Sequence, residues 1–346
     1  VMQLHDAHLA ARMPRHSCYK NSGNAVQVAT GELFEYNNKK TFPERLMTGR
    51  TYTGKGIGVA VLDTGLFPHA DFDSRIRFFY DFLFYRRQPY DDNGHGTHVT
   101  GILAGDGRMS SGRYTGAAPG CSIIALKVLD RYGNGSREDL LQAFRWIRSN
   151  REEYRIRVVN ISVGTTCNTS NEQDALLDAV DQLWDEGLVV VAAAGNQGPR
   201  SGSITAPGSN KKVITVGSSD LLEGKKAVSG RGPTKECVCK PDVVAPGNHI
   251  VSCIPYTKWK PLEGGTTGIY GYGVKSGTSM STPVVSGAIA CALEKNPTLT
   301  NVAIKRMLKE SADDMQLPRN IQGWGRFNRE RFLNLTKNYH CNVQKR

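Results

Sequence analysis

Short, wholly apolar runs alternate with longer stretches of helical spacing along most of this chain, and that alternation limits the folds open to it. Ile57–Leu62, Ser122–Val128, Val158–Val163, Leu188–Ala194 and Lys212–Val216 have strand length and little polar interruption. Such runs belong to strands buried on both faces. Between them, Gly96–Ala104, Arg137–Ser149 and Glu172–Glu186 carry helical spacing. Strands that alternate with helices in this way predict an α/β fold, with a parallel sheet covered on both sides. Further on, 281–293 is small and apolar all round, the pattern of a buried helix. Residues 301–311 are amphipathic and predict a second helix near the end. Residues 1–50 are polar and weakly periodic and are expected to be an N-terminal extension packed on a catalytic domain over 51–336. Residues 337–346 are expected to be a tail. No repeat or linker divides the chain.

In open parallel sheets, functional groups gather at the carboxyl ends of strands. Asp63 stands at such an end, after Gly58-Val-Ala-Val-Leu62, where backbone donors can hold a carboxylate. Taken alone it also reads as a turn or cap residue. His95 lies in Asn93-Gly94-His95-Gly96-Thr97-His98-Val99. The flanking glycines allow close approach to the ring, and Asn93 can cap the helix that follows. His95 and His98 share a helix face, but the helical Glu and third ligand of a metalloprotease are missing. His98 reads as a structural residue. Ser279, in Gly277-Thr278-Ser279-Met280-Ser281-Thr282-Pro283, precedes a helix in which Pro283 fits the first turn. The positive end of that helix favours an oxyanion. Asn196, in Ala194-Gly195-Asn196, follows a buried strand and can donate through its amide, although Gly-Asn is also turn chemistry.

Together the four segments resemble the subtilisin family of serine proteases. Val61-Leu62-Asp63-Thr64-Gly65 is similar to its acid motif and Asn93–Val99 to its base motif. Gly277–Pro283 is similar to its nucleophile motif and Ala194–Asn196 to its oxyanion motif. Ser229–Pro233, Lys240–Gly247 and Gly323–Asn328 extend the likeness from about residue 53 to about residue 330. The resemblance implies a doubly wound three-layer sandwich with a mostly parallel seven-stranded sheet. It implies a serine endopeptidase in which Ser279 attacks, His95 moves the proton, Asp63 orients His95, and Asn196 with the Ser279 N–H holds the oxyanion. It also makes Ser162-Val163-Gly164 the strand that pairs with substrate, and Ala193-Ala194-Gly195 the opposite wall of the specificity pocket. Small residues on both walls lead us to expect broad specificity with a hydrophobic residue before the cut.

The loop Gly105–Tyr114 departs from secreted bacterial subtilisins, which carry a calcium loop there, and resembles the AprX-like branch of bacterial subtilases. Asp71 matches an acidic calcium ligand, but its partners are missing, and calcium needs six to eight oxygens. The expectation is that the chemistry requires no cofactor, that a structural calcium elsewhere stays open, and that no metal binds at the catalytic centre. Residues 257–273 lengthen the approach to Ser279, and Ser281 replaces an Ala common after Ser-Met.

Composition narrows the partners. The 44 basic against 32 acidic side chains give a net charge of +12, but the basic residues are scattered and not interleaved with aromatics. Protein or peptide substrates and no nucleic acid are therefore expected, for a monomer. No apolar run reaches the length of a membrane span. The eight cysteines and the absence of a leader pattern lean towards a cytoplasmic rather than a secreted protein. Cys121 and Cys291 read as buried small hydrophobes. Cys237-Val-Cys239 has one residue between its thiols, where a zinc knuckle has two to four. An inactive subtilase serving as a binding module would lack a triad member. An α/β-hydrolase esterase would need Gly-x-Ser-x-Gly and the order Ser, Asp, His. Neither fits these motifs.

Overall fold

The computed structural model describes residues 2–4, 52–165, 170–220, 228–259, 269–337 and 339. Most of the expected N-terminal extension and C-terminal tail, with Cys18, Cys167 and Cys341, lies outside these residues.

Seven parallel strands form the central sheet: β2 (Gly58–Asp63), β3 (Ile76–Asp81), β4 (Ser122–Lys127), β5 (Ile156–Ile161), β7 (Val189–Ala193), β8 (Ile214–Ser218) and β9 (Val243–Ala245). Their order is β3-β4-β2-β5-β7-β8-β9. Every residue of β2 and β7 is buried, which is why those segments read as unbroken apolar runs. The edge strand β3 alternates instead, with Phe79 and Asp81 inward and Phe78 and Tyr80 half-exposed. Two smaller sheets flank the main one. β1 (Met2–Leu4) pairs in parallel with β6 (Val163–Thr165), and β10 (Ile250–Cys253) pairs antiparallel with β11 (Tyr272–Lys275).

Helices cover both faces. α1 (His95–Ala104) packs against α4 (Thr278–Lys295) on one side, and α2 (Arg137–Asn150) packs against α3 (Ser170–Asp185) on the other. α4 is buried from Thr278 to Leu293, so it runs through the core, as its uniform apolar composition demands. α2 starts where the Ser136 hydroxyl accepts the Asp139 N–H, and it buries Leu140, Ala143, Phe144 and Ile147 at helical spacing. α5 (Asn301–Ser311) starts likewise at Thr300, which accepts the Ala303 N–H. It buries Ile304, Met307 and Leu308. Two short helices, α6 (Arg319–Gln322) and α7 (Arg329–Leu335), close the described chain.

The direction of strand addition reverses around β2: β3 and β4 lie to one side, β5 and all later strands to the other. At such a reversal the loops leaving adjacent strands part and open a crevice at the carboxyl ends. Asp63, the last residue of β2, stands there.

Candidate active site

Asp63 and His95 are in direct contact. His95 Nδ1 lies 2.7 Å from Asp63 Oδ1, with both side chains almost fully buried. The same oxygen accepts the Thr64 N–H at 2.8 Å. Among the described residues Asp63 Oδ2 is buried without a partner, so the carboxylate keeps acceptor capacity for a neighbouring positive charge. A carboxylate on Nδ1 fixes the tautomer with that nitrogen protonated and leaves the Nε2 lone pair free to accept. Two hydrogen-bond hubs hold the pair in place. Asp91 accepts the backbone N–H groups of Asn93, Gly94 and Thr97 and the hydroxyls of Thr64 and Thr97. Lys127, fully buried, donates to the carbonyls of Thr64 (2.5 Å) and Leu129 (2.8 Å) and to Asp92 (2.9 Å). Gly96 lets α1 press against β2, since a Cβ there would lie 2.1 Å from the Gly65 carbonyl oxygen.

The expected cap at Asn93 is only part of the helix start. The Asn93 side chain accepts the His95 N–H at 3.1 Å, but Gly94 occupies the capping position with φ +93° and Asp91 supplies the side-chain acceptor. His98 is structural, as expected: its Nε2–H is shared between the Ile250 and Gly273 carbonyls. Burial pulls its pKa down to about 3, so the ring is neutral.

Ser279 is the second residue of α4, where backbone N–H groups have no acceptor within the helix. Its hydroxyl donates to the Ser162 carbonyl at 3.0 Å rather than to His95. In return the Ser162 hydroxyl donates to the Ser279 carbonyl at 3.2 Å. Pro283 explains this clasp and corrects the reading of the sequence. It is not in the first turn but five residues past the start of α4. Without an N–H it cannot serve the carbonyl four residues earlier, which is that of Ser279. Ser162 supplies the missing donor across 117 positions of sequence.

Asn196 joins the same corner. Its Oδ1 accepts the Thr278 N–H at 3.0 Å and the Thr278 hydroxyl at 3.1 Å. Two donors on one amide oxygen orient the group and turn Nδ2 to the other side. Gly277, at φ +139°, makes room: a Cβ there would lie 2.9 Å from Asn196 Nδ2. The two segments expected to line the pocket leave the sheet side by side. Ile161 pairs with Ala192, so Ser162-Val163-Gly164 and Ala193-Ala194-Gly195 diverge from adjacent strand ends. Ala193 and Ala194 are buried. The Ala194 and Gly195 carbonyls are tied to the N–H groups of Thr205 and Gly230. The edge of Val163–Thr165 receives the backbone of Met2–Leu4. Ser281 is accommodated by donating to the Ala245 carbonyl at 2.8 Å.

Asp71 does not suit calcium. Its Oδ1 accepts the Met109 N–H at 3.0 Å, and its Oδ2 accepts the Tyr272 hydroxyl at 2.5 Å and the Cys253 thiol at 3.5 Å. Among the described residues the nearest candidate ligands are the His69 imidazole and the Cys253 thiol, nitrogen and sulfur donors foreign to a hard cation. Burial holds that thiol well above its ordinary pKa and lowers that of His69. Cys121 and Cys291 are buried as expected, whereas Cys237 and Cys239 are exposed.

Comparison with known proteins agrees with this geometry. The Subtilase family model of peptidase S8 matches residues 54–325. The chain belongs to the subtilase family. Its class is that of a subtilisin-type serine endopeptidase, and its relatives are bacterial. Serine protease AprX of Bacillus subtilis is 39% identical over 83% of this chain and 68% of its own length. Subtilisin Savinase of Lederbergia lenta is 35% identical over 81% of this chain and 92% of its own. A solved cold-adapted subtilisin-like serine proteinase superposes with a TM-score of 0.63 at 29% identity, covering 81% of this chain and 89% of that one. Among the described residues of this subtilase, no helix is long and apolar enough to cross a membrane.

Proposed function

We propose that this subtilase hydrolyses protein substrates through an acyl-enzyme on Ser279, with His95 as base and Asp63 as its orienting acid. The 2.7 Å bond between His95 and Asp63, with His95 opening α1 and Ser279 in the first turn of α4, which packs on α1, is the observation that carries this reading.

A substrate backbone laid along Ser162–Gly164 offers an N–H to the Ser162 carbonyl and competes with Ser279 for that acceptor. The displaced hydroxyl turns to His95 Nε2, gives up its proton and attacks the scissile carbonyl. The Ser279 N–H and Asn196 Nδ2 hold the developing oxyanion. His95 then protonates the leaving amine, and water releases the acyl group by the reverse sequence. Because Met2–Leu4 lies along Val163–Thr165, a substrate on that edge must displace it.

Small side chains at Ala193, Ala194 and Gly195 favour broad specificity with a hydrophobic residue before the cut. The enzyme works as a monomer without a nucleic-acid partner. The chemistry needs no cofactor, and no calcium binds at Asp71. Digestion of an unfolded protein, with sequencing of the fragments, tests the proposal. Cleavage by wild type, none by Ser279→Ala, and mostly apolar residues before the cut are expected. Equal cleavage by Ser279→Ala would overturn the mechanism, and a preference for charged residues would overturn the pocket assignment.

A further inference from the structure

Far from the catalytic corner, α5 presents one face made almost wholly of cations. Lys305, Arg306 and Lys309 follow Val302 at steps of three, four and seven, the spacing of neighbours on a helix surface. Lys211 and Lys212, in the turn leading into β8, face them across a shallow, open groove of about 360 Å³. Trp184, near the end of α3, and Trp324 complete its wall, and among the described residues no acidic side chain lines it.

The charges are only partly neutralised. Lys212 pairs with Asp185 at 2.8 Å and Asp181 at 3.5 Å, Arg306 with Glu310 at 2.9 Å, and Lys305 with Asp242 at 3.4 Å; the Lys212–Asp185 and Arg306–Glu310 pairs lie at the surface, where such pairs contribute little. Among the described residues, Lys211 and Lys309 have no acidic partner. Lys305 is bound inward, donating to the carbonyls of Lys211, Lys212 and Val213. Burial lowers its pKa to about 8 despite Asp242, and Lys240 lowers it further. Like charges three and four apart destabilise a helix, so this face costs α5 stability that an anion would restore. An apolar element sits among the cations: Val302 is 63% exposed, and Trp184 lies under the Lys305 ammonium at 5.8 Å.

We infer that this face is an exosite that binds an acidic peptide segment of the protein substrate. The inference rests on the peptidase reading above. Carboxylates of the segment would meet Lys211, Lys309 and Arg306, and an apolar side chain between them would lie on Val302 and Trp324. The α5 face spans only about 10 Å over its seven-residue step, enough for a few peptide residues and short for a nucleic-acid backbone track. A second copy of this chain, also at +12, brings the same surplus of positive charge and is a poor occupant. Lys211 and Lys212 enter β8 at its amino end, whereas Asp63 closes the carboxyl end of β2 and Ser162 and Asn196 follow those of β5 and β7. An occupant therefore leaves the cleft open.

The test uses the full chain carrying Ser279→Ala, so that binding is read without cleavage and independently of whether Ser279 is the nucleophile. A fluorescent dodecapeptide of Asp and Glu with one central Leu is titrated at low and moderate salt. A neutral peptide of equal length and an oligothymidylate serve as controls. Binding of the acidic peptide that weakens with salt is expected, with about a tenfold loss in the Lys211→Glu/Lys309→Glu variant. In the active enzyme the same pair of changes should raise KM for an acid-rich unfolded protein and leave kcat and KM on a short neutral peptide unaltered. Acidic-peptide binding unaffected by the charge reversal, or tighter binding of the oligothymidylate through the same lysines, would overturn the inference. So would self-association that the charge reversal abolishes. Loss of all peptidase activity in the wild type would instead indict the catalytic assignment.

Discussion

Replacing Ser162 by Ala should cost far more than one surface hydroxyl, because two buried groups depend on that oxygen. It donates to the Ser279 carbonyl at 3.2 Å and accepts the Asn160 amide N–H at 3.1 Å. Ser162, Asn160 and Ser279 are all nearly or fully buried. Each orphaned group costs about 1–3 kcal/mol, so the change should lower stability by about 2–6 kcal/mol. The reason the Ser279 carbonyl needs Ser162 is the missing N–H of Pro283. Pro283→Ala supplies that N–H from within α4. In its presence Ser162→Ala should cost about 1–2 kcal/mol less, a coupling well beyond the additivity expected of independent sites. The four proteins of this cycle are compared by urea denaturation in a Ser279→Ala background, which prevents self-digestion and keeps the carbonyl in question. If the two substitutions add to within about 0.5 kcal/mol, the carbonyl is not what links them and the explanation of the clasp is wrong.

Asn196→Ala should reduce kcat by about 10²–10³, the size established for loss of one oxyanion donor, with KM little changed and stability lowered by about 1–3 kcal/mol because Thr278 loses its acceptor; a fall in kcat under tenfold would remove Nδ2 from the oxyanion site. His98 is buried neutral with a pKa near 3, against 6.5 unfolded. Below pH 6.5 only the unfolded chain takes up this proton, so stability is lost as pH falls from 6.5 towards 3, by about 2 kcal/mol at pH 5. Denaturation at pH 7 and pH 5 should show this part of the loss in the Ser279→Ala protein and not in its His98→Asn derivative. Lys240 is buried and donates to Asp242 at 2.7 Å and to the Val213 carbonyl at 2.8 Å. Lys305, 3.4 Å from Asp242, remains as a second cation, so Lys240→Met should cost about 1–3 kcal/mol, and Lys240→Met with Lys305→Met should cost about 3–5 kcal/mol by stranding the Asp242 carboxylate in the same denaturation assay.

The sequence is most readable where one local rule acts alone. Strand β2 and helix α5 follow from unbroken apolar composition and from helical spacing, and the residues around Asp63, His95, Ser279 and Asn196 stand out as motifs. The edge strand β3 was not legible, because Phe78 and Tyr80 face partly outward and break the apolar run. Pro283 misled for a physical reason. A proline far into a helix is costly unless a side chain elsewhere serves the carbonyl it abandons, and Ser162 lies too distant in sequence to suggest it. The hubs at Asp91 and Lys127 were equally hidden. An acid in a polar turn and a lysine at the end of an apolar strand have ordinary surface readings, and only the fold brings the Thr64 hydroxyl and carbonyl to them. Asp71 was marked by its position, but its engagement by Tyr272 and Cys253 depends on the hairpin β10–β11, some 180 residues or more away.

Covalent trapping of the nucleophile tests most directly whether Asp63, His95 and Ser279 act as one unit. The folded protein is treated with a serine-directed phosphonofluoridate and the adduct located by peptide mapping. A single adduct on Ser279, formed in the wild type and abolished by His95→Ala, is the expected result. A folded wild-type protein that stays unlabelled, or that carries the adduct on another serine, would contradict it.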